Sequence, residues 1–163
     1  MVVRMQLHVL QPPVDGRQSE TAIAIARGTG RLLQSRGFCC VSELPLPSGR
    51  RADIVAVDGR GDIWIVEIKS SVADFRADQK WMDYRLHCDR LFFATTMAVP
   101  CEIFPPDTGL IVADAFGADM KCEAPEHRLP AATRKSMLLR FGQTAAMRLQ
   151  ALSDPTGPYE LDR

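Results

Sequence analysis

Lysine is scarce in this chain of 163 residues: four lysines (Lys69, Lys80, Lys121 and Lys135) stand against sixteen arginines. A lysine inside an apolar segment is therefore informative, and arginine suits bidentate contact with phosphate. Net charge is lacking as well, because twenty basic residues balance twenty acidic ones. No whole-molecule field draws the protein toward nucleic acid or an anionic membrane, so a polyanion must be met by a local patch. The five cysteines (Cys39, Cys40, Cys88, Cys101 and Cys122) are odd in number and contain no C-x-x-C pair. That argues against a disulfide framework and a structural zinc site, and makes a reducing cytoplasm the expected setting. His87 and His127 show no metal-ligand spacing. No run approaches the roughly 18 consecutive apolar residues that span a bilayer. The short apolar start is broken by Arg4, Gln6 and His8 and is followed by no small-residue cleavage site, so it does not read as a signal peptide. Neither G-x-x-x-x-G-K-[ST] nor G-x-G-x-x-G occurs, which leaves nucleotide-driven and dinucleotide chemistry without support.

What is present suits one globular core: 46% of the residues are hydrophobic and 25% charged, in a length that accommodates a single domain. Pro12, Pro13, Asp15 and Gly16 mark residues 1–16 as an N-terminal arm, residues 17–152 form the domain, and residues 153–163 read as a turn-rich tail. Ala22, Ile23, Ala26, Leu32 and Leu33 recur at helical spacing over 17–36 with Gly37 as a stop, although Gly28 and Gly30 weaken that helix unless another backbone packs there. Strands are expected over 38–44, 51–57 and 62–69, the last two joined by the hairpin sequence Asp58-Gly59-Arg60-Gly61. A crossover helix over 72–86 leads to a strand over 90–96, a short buried strand over 109–113, a polar loop over 114–129 and a helix over 130–152. The fold class is α/β, with a mixed central sheet of about five strands flanked by helices in the order α-β-β-β-α-β-β-α.

Alternation puts Ile63, Ile65, Glu67 and Lys69 on one face of the third strand and Trp64, Val66 and Ile68 on the other. Both faces are apolar until the end of the strand, so it is central and doubly buried, and Glu67 and Lys69 emerge together at its exit. Antiparallel pairing around the hairpin brings Asp53 opposite residues 66–68. An Asp, a Glu and a Lys thus meet at one end of one sheet. Two carboxylates are the hard oxygen ligands that Mg²⁺ or Mn²⁺ takes, with the backbone carbonyl of Ile68 as a further ligand. A cation held there would activate water and offset charge on a phosphate, and Lys69 would add electrostatic stabilisation. E-x-K alone says almost nothing; the doubly buried strand and the Asp on its hairpin partner give it weight. The plainer alternative is an ion pair with a spectator at a sheet margin, which leaves grouped like charges uncompensated at a buried position.

The arrangement Asp53…Glu67-Ile68-Lys69 resembles the PD-(D/E)XK nuclease superfamily, over residues 17–113. The runs S-G-R-R-A-D-I-V-A-V, W-I-V-E-I-K-S-S-V-A-D-F, D-Q-K-W-M-D-Y and A-P-E-H-R-L are most similar to the MmcB-like bacterial DNA repair proteins and extend the likeness over most of the chain. Ala52 stands where the signature places a proline. The resemblance implies a restriction-endonuclease-like core in the order helix-strand-strand-strand-helix-strand, and a carboxylate on the first helix, here Glu20. Glu43, on the strand before Asp53, is a candidate third carboxylate. Gln79, Lys80, Asp83 and Tyr84 lie within about a turn and a half of the crossover helix that follows the motif, Lys80 and Tyr84 as i, i+4 neighbours able to hold a phosphate or a base. Arg50 and Arg51 make the best phosphate patch, with Arg60, Arg76 and Arg85 as additions.

Two functions from different classes follow. The first is a Mg²⁺- or Mn²⁺-dependent deoxyribonuclease acting in DNA repair, with Asp53 and Glu67 as ligands and Lys69 beside the nucleophile. The second is a nuclease-fold module that binds DNA or a repair protein without cutting, in keeping with the missing basic field; Lys69 bonded directly into the carboxylates would favour it. RNA is a weaker third substrate, because no RNP-like aromatic pattern occurs. A homodimer would suit cutting of both strands, yet no segment marks an interface.

Overall fold

Ser19 accepts a hydrogen bond from the N–H of Ala22 at 3.1 Å and so starts α1 (Glu20–Ser35), with Glu20 in the first turn where the helix dipole favours its charge. Gly37, at φ +85, takes the chain out of the helix, and the Phe38 N–H closes back on the Leu33 carbonyl at 3.0 Å. This computed structural model describes residues 19–78 and 80–157; the N-terminal arm over 1–16, Gln79 and the tail from residue 158 lie outside the described residues.

The first three strands, β1 (Cys39–Pro45), β2 (Arg51–Val57) and β3 (Ile63–Ile68), form an antiparallel meander. The β2–β3 turn is set by Asp58, whose carboxylate accepts the N–H groups of Arg60 and Asp62 at 2.9 Å each, and by Gly61 at φ +84. After β3 come α2 (Val72–Ala77) and a 3₁₀ helix (Trp81–His87), which carry the chain over to β4 (Arg90–Thr95), parallel to β3. The parallel β5 (Gly109–Ala113), the antiparallel β6 (Ala118–Cys122) and the long α3 (Ala131–Ser153) complete the chain. Strands lie side by side in chain order, β1-β2-β3-β4-β5-β6. The order α1-β1-β2-β3-α2-β4 is the core order that the resemblance implies.

Alternation sorts the core into layers. Ile54, Ala56, Trp64 and Val66 pack under Ile25 and Leu33 of α1, while Val55, Ile63 and Ile65 face Tyr84 and Met137 of α3. Each large aliphatic side chain removed from water contributes ~1.5–3 kcal/mol. β3 is buried on both faces, as its two apolar stripes require.

Two expectations are corrected. The sheet has six strands instead of about five, because the expected polar loop over 114–129 contains β6. Asp119 and Lys121 are exposed and Met120 is half-buried, so this edge strand carries too little apolar alternation to announce itself; polar edges also resist pairing with other chains. The helix expected over 72–86 breaks at Asp78, which takes an extended conformation. Its carboxylate accepts the Lys80 N–H at 2.9 Å, a local bond that competes with helix continuation.

Asp89 fastens the far end of the parallel strands. Almost wholly buried, it accepts the N–H groups of Ile63 at 2.8 Å and Leu129 at 2.9 Å, and Arg134 of α3 grips it with two bonds of 2.8 and 2.6 Å. Burial alone would raise its pKa, but Arg134 and the two N–H groups outweigh it and hold Asp89 below the ordinary carboxylate range.

Gly28 and Gly30 separate two physical roles. A Cβ on Gly28 would lie 2.2 Å from the Asp114 carbonyl oxygen and 2.3 Å from that of Gly117, whereas a Cβ on Gly30 meets nothing within 4 Å. Gly28→Ala should destabilise the protein by about 1–3 kcal/mol through forced separation of α1 from the β5–β6 turn. Gly30→Ala should stabilise it by up to ~1 kcal/mol. Urea unfolding of the two variants checks the opposite signs. Arg134→Met should cost about 3 kcal/mol by stranding Asp89. Because the folded pKa of Asp89 is depressed, its contribution is present above the unfolded value near ~3.9 and is lost as pH falls through the folded one. Acid unfolding of Arg134→Met should therefore show a smaller loss of stability below about pH 4 than wild type.

Candidate functional site

The register Ile54↔Val66 places Asp53 one step on, across from Glu67, on the face of the sheet that also carries Ile63 and Ile65. The two residues are stitched together through the backbone. The Asp53 N–H donates to Glu67 Oε1 at 3.2 Å, and the Ile68 N–H donates to Asp53 Oδ2 at 2.8 Å. Among the described residues no further hydrogen bond occupies Asp53 Oδ1 or Glu67 Oε2. Lys69 follows on the same face, its backbone fixed to β4 by Lys69 N–H to Ala94 O at 2.8 Å and by the Thr95 hydroxyl to Lys69 O at 2.7 Å. Asp53, Glu67 and Lys69 thus meet at one sheet end, as the hairpin register requires.

The Lys69 ammonium, only 5% exposed as a residue, does not bond into the carboxylate pair. It donates to Asp78 Oδ2 at 2.7 Å, the acid that sits in the break after α2. Sequence reasoning missed this residue. Asp78 stands in the D-Q-K-W run that carries the resemblance, yet only the helix break that it creates turns it toward Lys69.

Burial pushes Asp53 above its ordinary pKa against the pull of the Ile68 N–H and Lys69, and Glu43 and Asp74 add to the push. Burial and then the Asp53 charge push Glu67 well above the carboxylate range. Burial also works against the charge of Lys69, but the bond to Asp78 and the Glu67 charge outweigh it, so Lys69 remains an ammonium at neutral pH. Asp78 is held low because its bonds with Lys69 and Lys80 overcome burial. With Asp53, Glu67 and Asp78 all ionised, one ammonium faces three carboxylates. That excess of negative charge in a desolvated site is the chemistry that a divalent cation relieves.

Among the described residues no three His, Cys, Asp or Glu side chains converge into a ready-made metal cage. Two carboxylates with open oxygens suit Mg²⁺ or Mn²⁺, hard ions that keep several waters and take the rest of their shell from a substrate phosphate. The donor set fits such an ion and does not fit structural zinc. Glu43, on β1 and almost buried, stands beside the pair: it raises Asp53 and lies 3.4 Å from Arg51. It is the one non-glycine residue at positive φ (+49) among the described residues, a strained conformation of the kind that collects at functional sites. Arg148 of α3 donates to the Ser42 and Glu43 carbonyls and holds that turn of the backbone.

The remaining candidates separate. Tyr84 is buried under the pair, its hydroxyl on the Arg51 carbonyl at 3.3 Å; burial and then the Glu67 charge raise its pKa, so it stays protonated. Lys80 is exposed and precedes a 3₁₀ helix, so the expected i, i+4 pairing with Tyr84 does not form. Asp83 and Arg50 bond to each other at 2.6 Å beside the site, Arg51 pairs with Glu43, and Arg76 is exposed on α2. Arg60 belongs to the hairpin at the opposite sheet end and pairs with Asp58. Arg85 is at that end too, bonded to Asp107 and His127. Neither extends the phosphate patch: Arg60 sits in the β2–β3 turn, away from the open end of the hairpin, and Arg85 is drawn to the segments before β5 and α3. Glu20 is exposed on α1, the helix on the other face of the sheet, and Gln79 lies outside the described residues. Two surface hollows lie elsewhere. One of about 540 Å³ lies beside Leu129 and Leu138, and another of about 680 Å³ beside Gly30 and Cys40.

The family model of MmcB-like DNA repair proteins matches residues 9–156. The SPO1766 protein of unknown function from Silicibacter pomeroyi is 42% identical, over 89% of this chain and 99% of that chain, with a TM-score of 0.83. A repair endonuclease from Pyrococcus abyssi is similar at 18% identity over 52% of this chain and 40% of its own, with a TM-score of 0.35, a likeness too slight to bear an argument. No curated protein sequence matches the chain. Among the described residues no helix is long and apolar enough to cross a membrane.

Protonation of the carboxylate pair should be visible in stability. The folded pair holds protons that the unfolded chain releases near pH ~4.3, so stability should fall as pH rises from there through the raised values. Glu67→Gln removes a buried charge at nearly constant shape. At pH 8 it should raise Tm by ~2–4 °C or more and flatten the pH dependence. Thermal unfolding checks this, and a variant no more stable than wild type at pH 8 contradicts it.

Proposed function

Because the chain belongs to the MmcB-like family of DNA repair proteins, we propose that it is a metal-dependent nuclease that hydrolyses phosphodiester bonds in DNA. The observation that carries this reading is the buried Asp53–Glu67 pair, both pushed toward protonation, with the neighbouring ammonium turned to Asp78 instead of neutralising them. Asp53 and Glu67 would hold Mg²⁺ or Mn²⁺ with the Ile68 carbonyl, and Glu43 beside them would shape the field. When bound, the ion supplies Lewis acidity, lowering the pKa of water and offsetting charge on the phosphate.

The chain's own groups do the positioning. The Ile68 N–H fixes Asp53 Oδ2 and the Asp53 N–H fixes Glu67 Oε1, so each carboxylate presents its other oxygen without rotamer freedom. Lys69 offers a buried ammonium within the field of both carboxylates, where a non-bridging phosphate oxygen gains most from a fixed positive charge in low dielectric. Tyr84 closes the floor of the site and remains a neutral donor.

Purified protein should nick or trim at least one of a set of single-stranded, forked and duplex DNAs in Mn²⁺. Lys69→Ala and Asp53→Asn should each lower the rate about 10²–10³-fold. Equal cutting by wild type and Lys69→Ala overturns the reading. A second reading, a module that binds DNA or a repair protein without cutting, draws on the pairing of Arg50 with Asp83 and Arg51 with Glu43, which leaves the rim with a weak positive field. Mn²⁺ separates the two. It should raise the Tm of wild type and not that of Asp53→Asn if the pair takes the ion.

A further inference from the structure

Strands β3, β4 and β5 are parallel, so the loops that follow them gather at one end of the sheet, the end that carries Asp53, Glu67 and Lys69. Two of those loops present a large apolar side chain to water. Met97, after β4, is 92% exposed, and Phe116, after β5, is 82% exposed. Both turns are held by backbone hydrogen bonds. Met97 sits in a turn closed by the Val99 N–H on the Thr96 carbonyl at 3.2 Å and by the Ala98 N–H on the Thr96 hydroxyl at 3.2 Å. Phe116 sits in a turn where the Asp114 carboxylate accepts the Phe116 and Gly117 N–H groups at 2.7 and 2.9 Å, and the Asp114 N–H closes on Gly117 O at 3.0 Å. Arg31 of α1 adds a bond to the Phe116 carbonyl at 2.8 Å, and Gly28 packs directly on the same turn. The first turn begins beside the site, since Thr95 bonds the Lys69 carbonyl and pairs with Val112 of β5.

We infer that Met97 and Phe116 are a stacking pair that engages unpaired or unstacked bases of the DNA whose backbone reaches Asp53 and Glu67. This rests on the proposed reading of the chain as a protein acting on DNA, and it names the substrate class: single-stranded, forked or otherwise opened DNA rather than continuous duplex. Exposed apolar side chains on rigid turns match what such DNA offers, because any base has a π-face and stacking needs no particular sequence. The neutral molecule has little charge to hold paired DNA by its phosphates alone, so base contact supplies what the field lacks.

The test is fluorescence anisotropy of the full chain with labelled single-stranded, forked and fully paired oligonucleotides in Ca²⁺, with Met97→Ala, Phe116→Ala and the double variant. Each single change should weaken binding to single-stranded and forked DNA about tenfold and leave duplex binding within about twofold. Phe116→Trp should keep wild-type affinity, and its added indole emission should be quenched by single-stranded DNA and not by duplex. Unchanged affinity in the double variant overturns the inference, as does an equal loss on all three DNAs or a wild type that binds none of them. Self-association that the same variants abolish, with DNA binding intact, assigns the tips to a protein contact and overturns it too. Cutting has no part in this readout, so a failure of Lys69-dependent cleavage and a failure of base stacking are told apart.

Discussion

Asp89 is a carboxylate taken out of water at the foot of the parallel strands, and the packing around it follows from the need to satisfy it. It binds the first N–H of β3, its own N–H bonds the Ile63 carbonyl at 2.7 Å, and its carbonyl accepts the His127 N–H at 2.7 Å. Leu129 and Arg134 complete the shell from the segment leading into α3 and from α3 itself. The A-P-E-H-R-L run is therefore a clamp that laces α3 onto β3 and β4, and its weight in the resemblance is structural. Without that clamp one face of β3 would lose its cover, and a strand buried on both faces cannot tolerate that.

The two ends of β3 then carry the same residue chemistry with opposite outcomes. At the foot, a buried carboxylate meets a guanidinium and two N–H groups and is held below its ordinary pKa. At the exit, two buried carboxylates share one N–H each, face one another, and are held above it. Burial is common to both, so the difference lies in what the sequence provides to each. Arg134 completes the first. The ammonium that could have completed the second is taken by Asp78, and the short break after α2 makes that possible. One end has its charge matched by Arg134 and the other keeps an excess of negative charge, the asymmetry on which the proposed reading rests.

Much of this was legible in the sequence because it rests on period and register. The doubly apolar run from Ile63 to Ile68 fixes β3 as central, the Asp58–Gly61 turn fixes its partner, and register alone then brings Asp53 to Glu67. What escaped reading rests on side chains that act against local pattern. β6 hid because an edge strand carries Asp119 and Lys121 outward, and the break at Asp78 hid because no glycine or proline marks it. The Lys69–Asp78 pair and the strain at Glu43 depend on three-dimensional neighbours. Gly28 sits between these cases: a glycine within a helix signals close approach, but only the structure shows that the Asp114 and Gly117 carbonyls are what approach it.

The parallel crossing from β3 to β5 has a further consequence for how such a site meets its partner. Because three successive strands point the same way, the residues just past their ends gather at one end of the sheet regardless of their distance along the chain, and the carboxylates, Met97 and Phe116 all lie at that end. On the proposed reading the polar and apolar parts of that end answer different problems. The acidic pair cannot attract a phosphate on its own, and the rim arginines nearest to it are already paired with Asp83 and Glu43. Affinity must then come from a shared cation at the backbone and from stacking at the bases. Both are short-ranged, so on that reading a neutral molecule would select DNA by its local opening instead of by its long-range field.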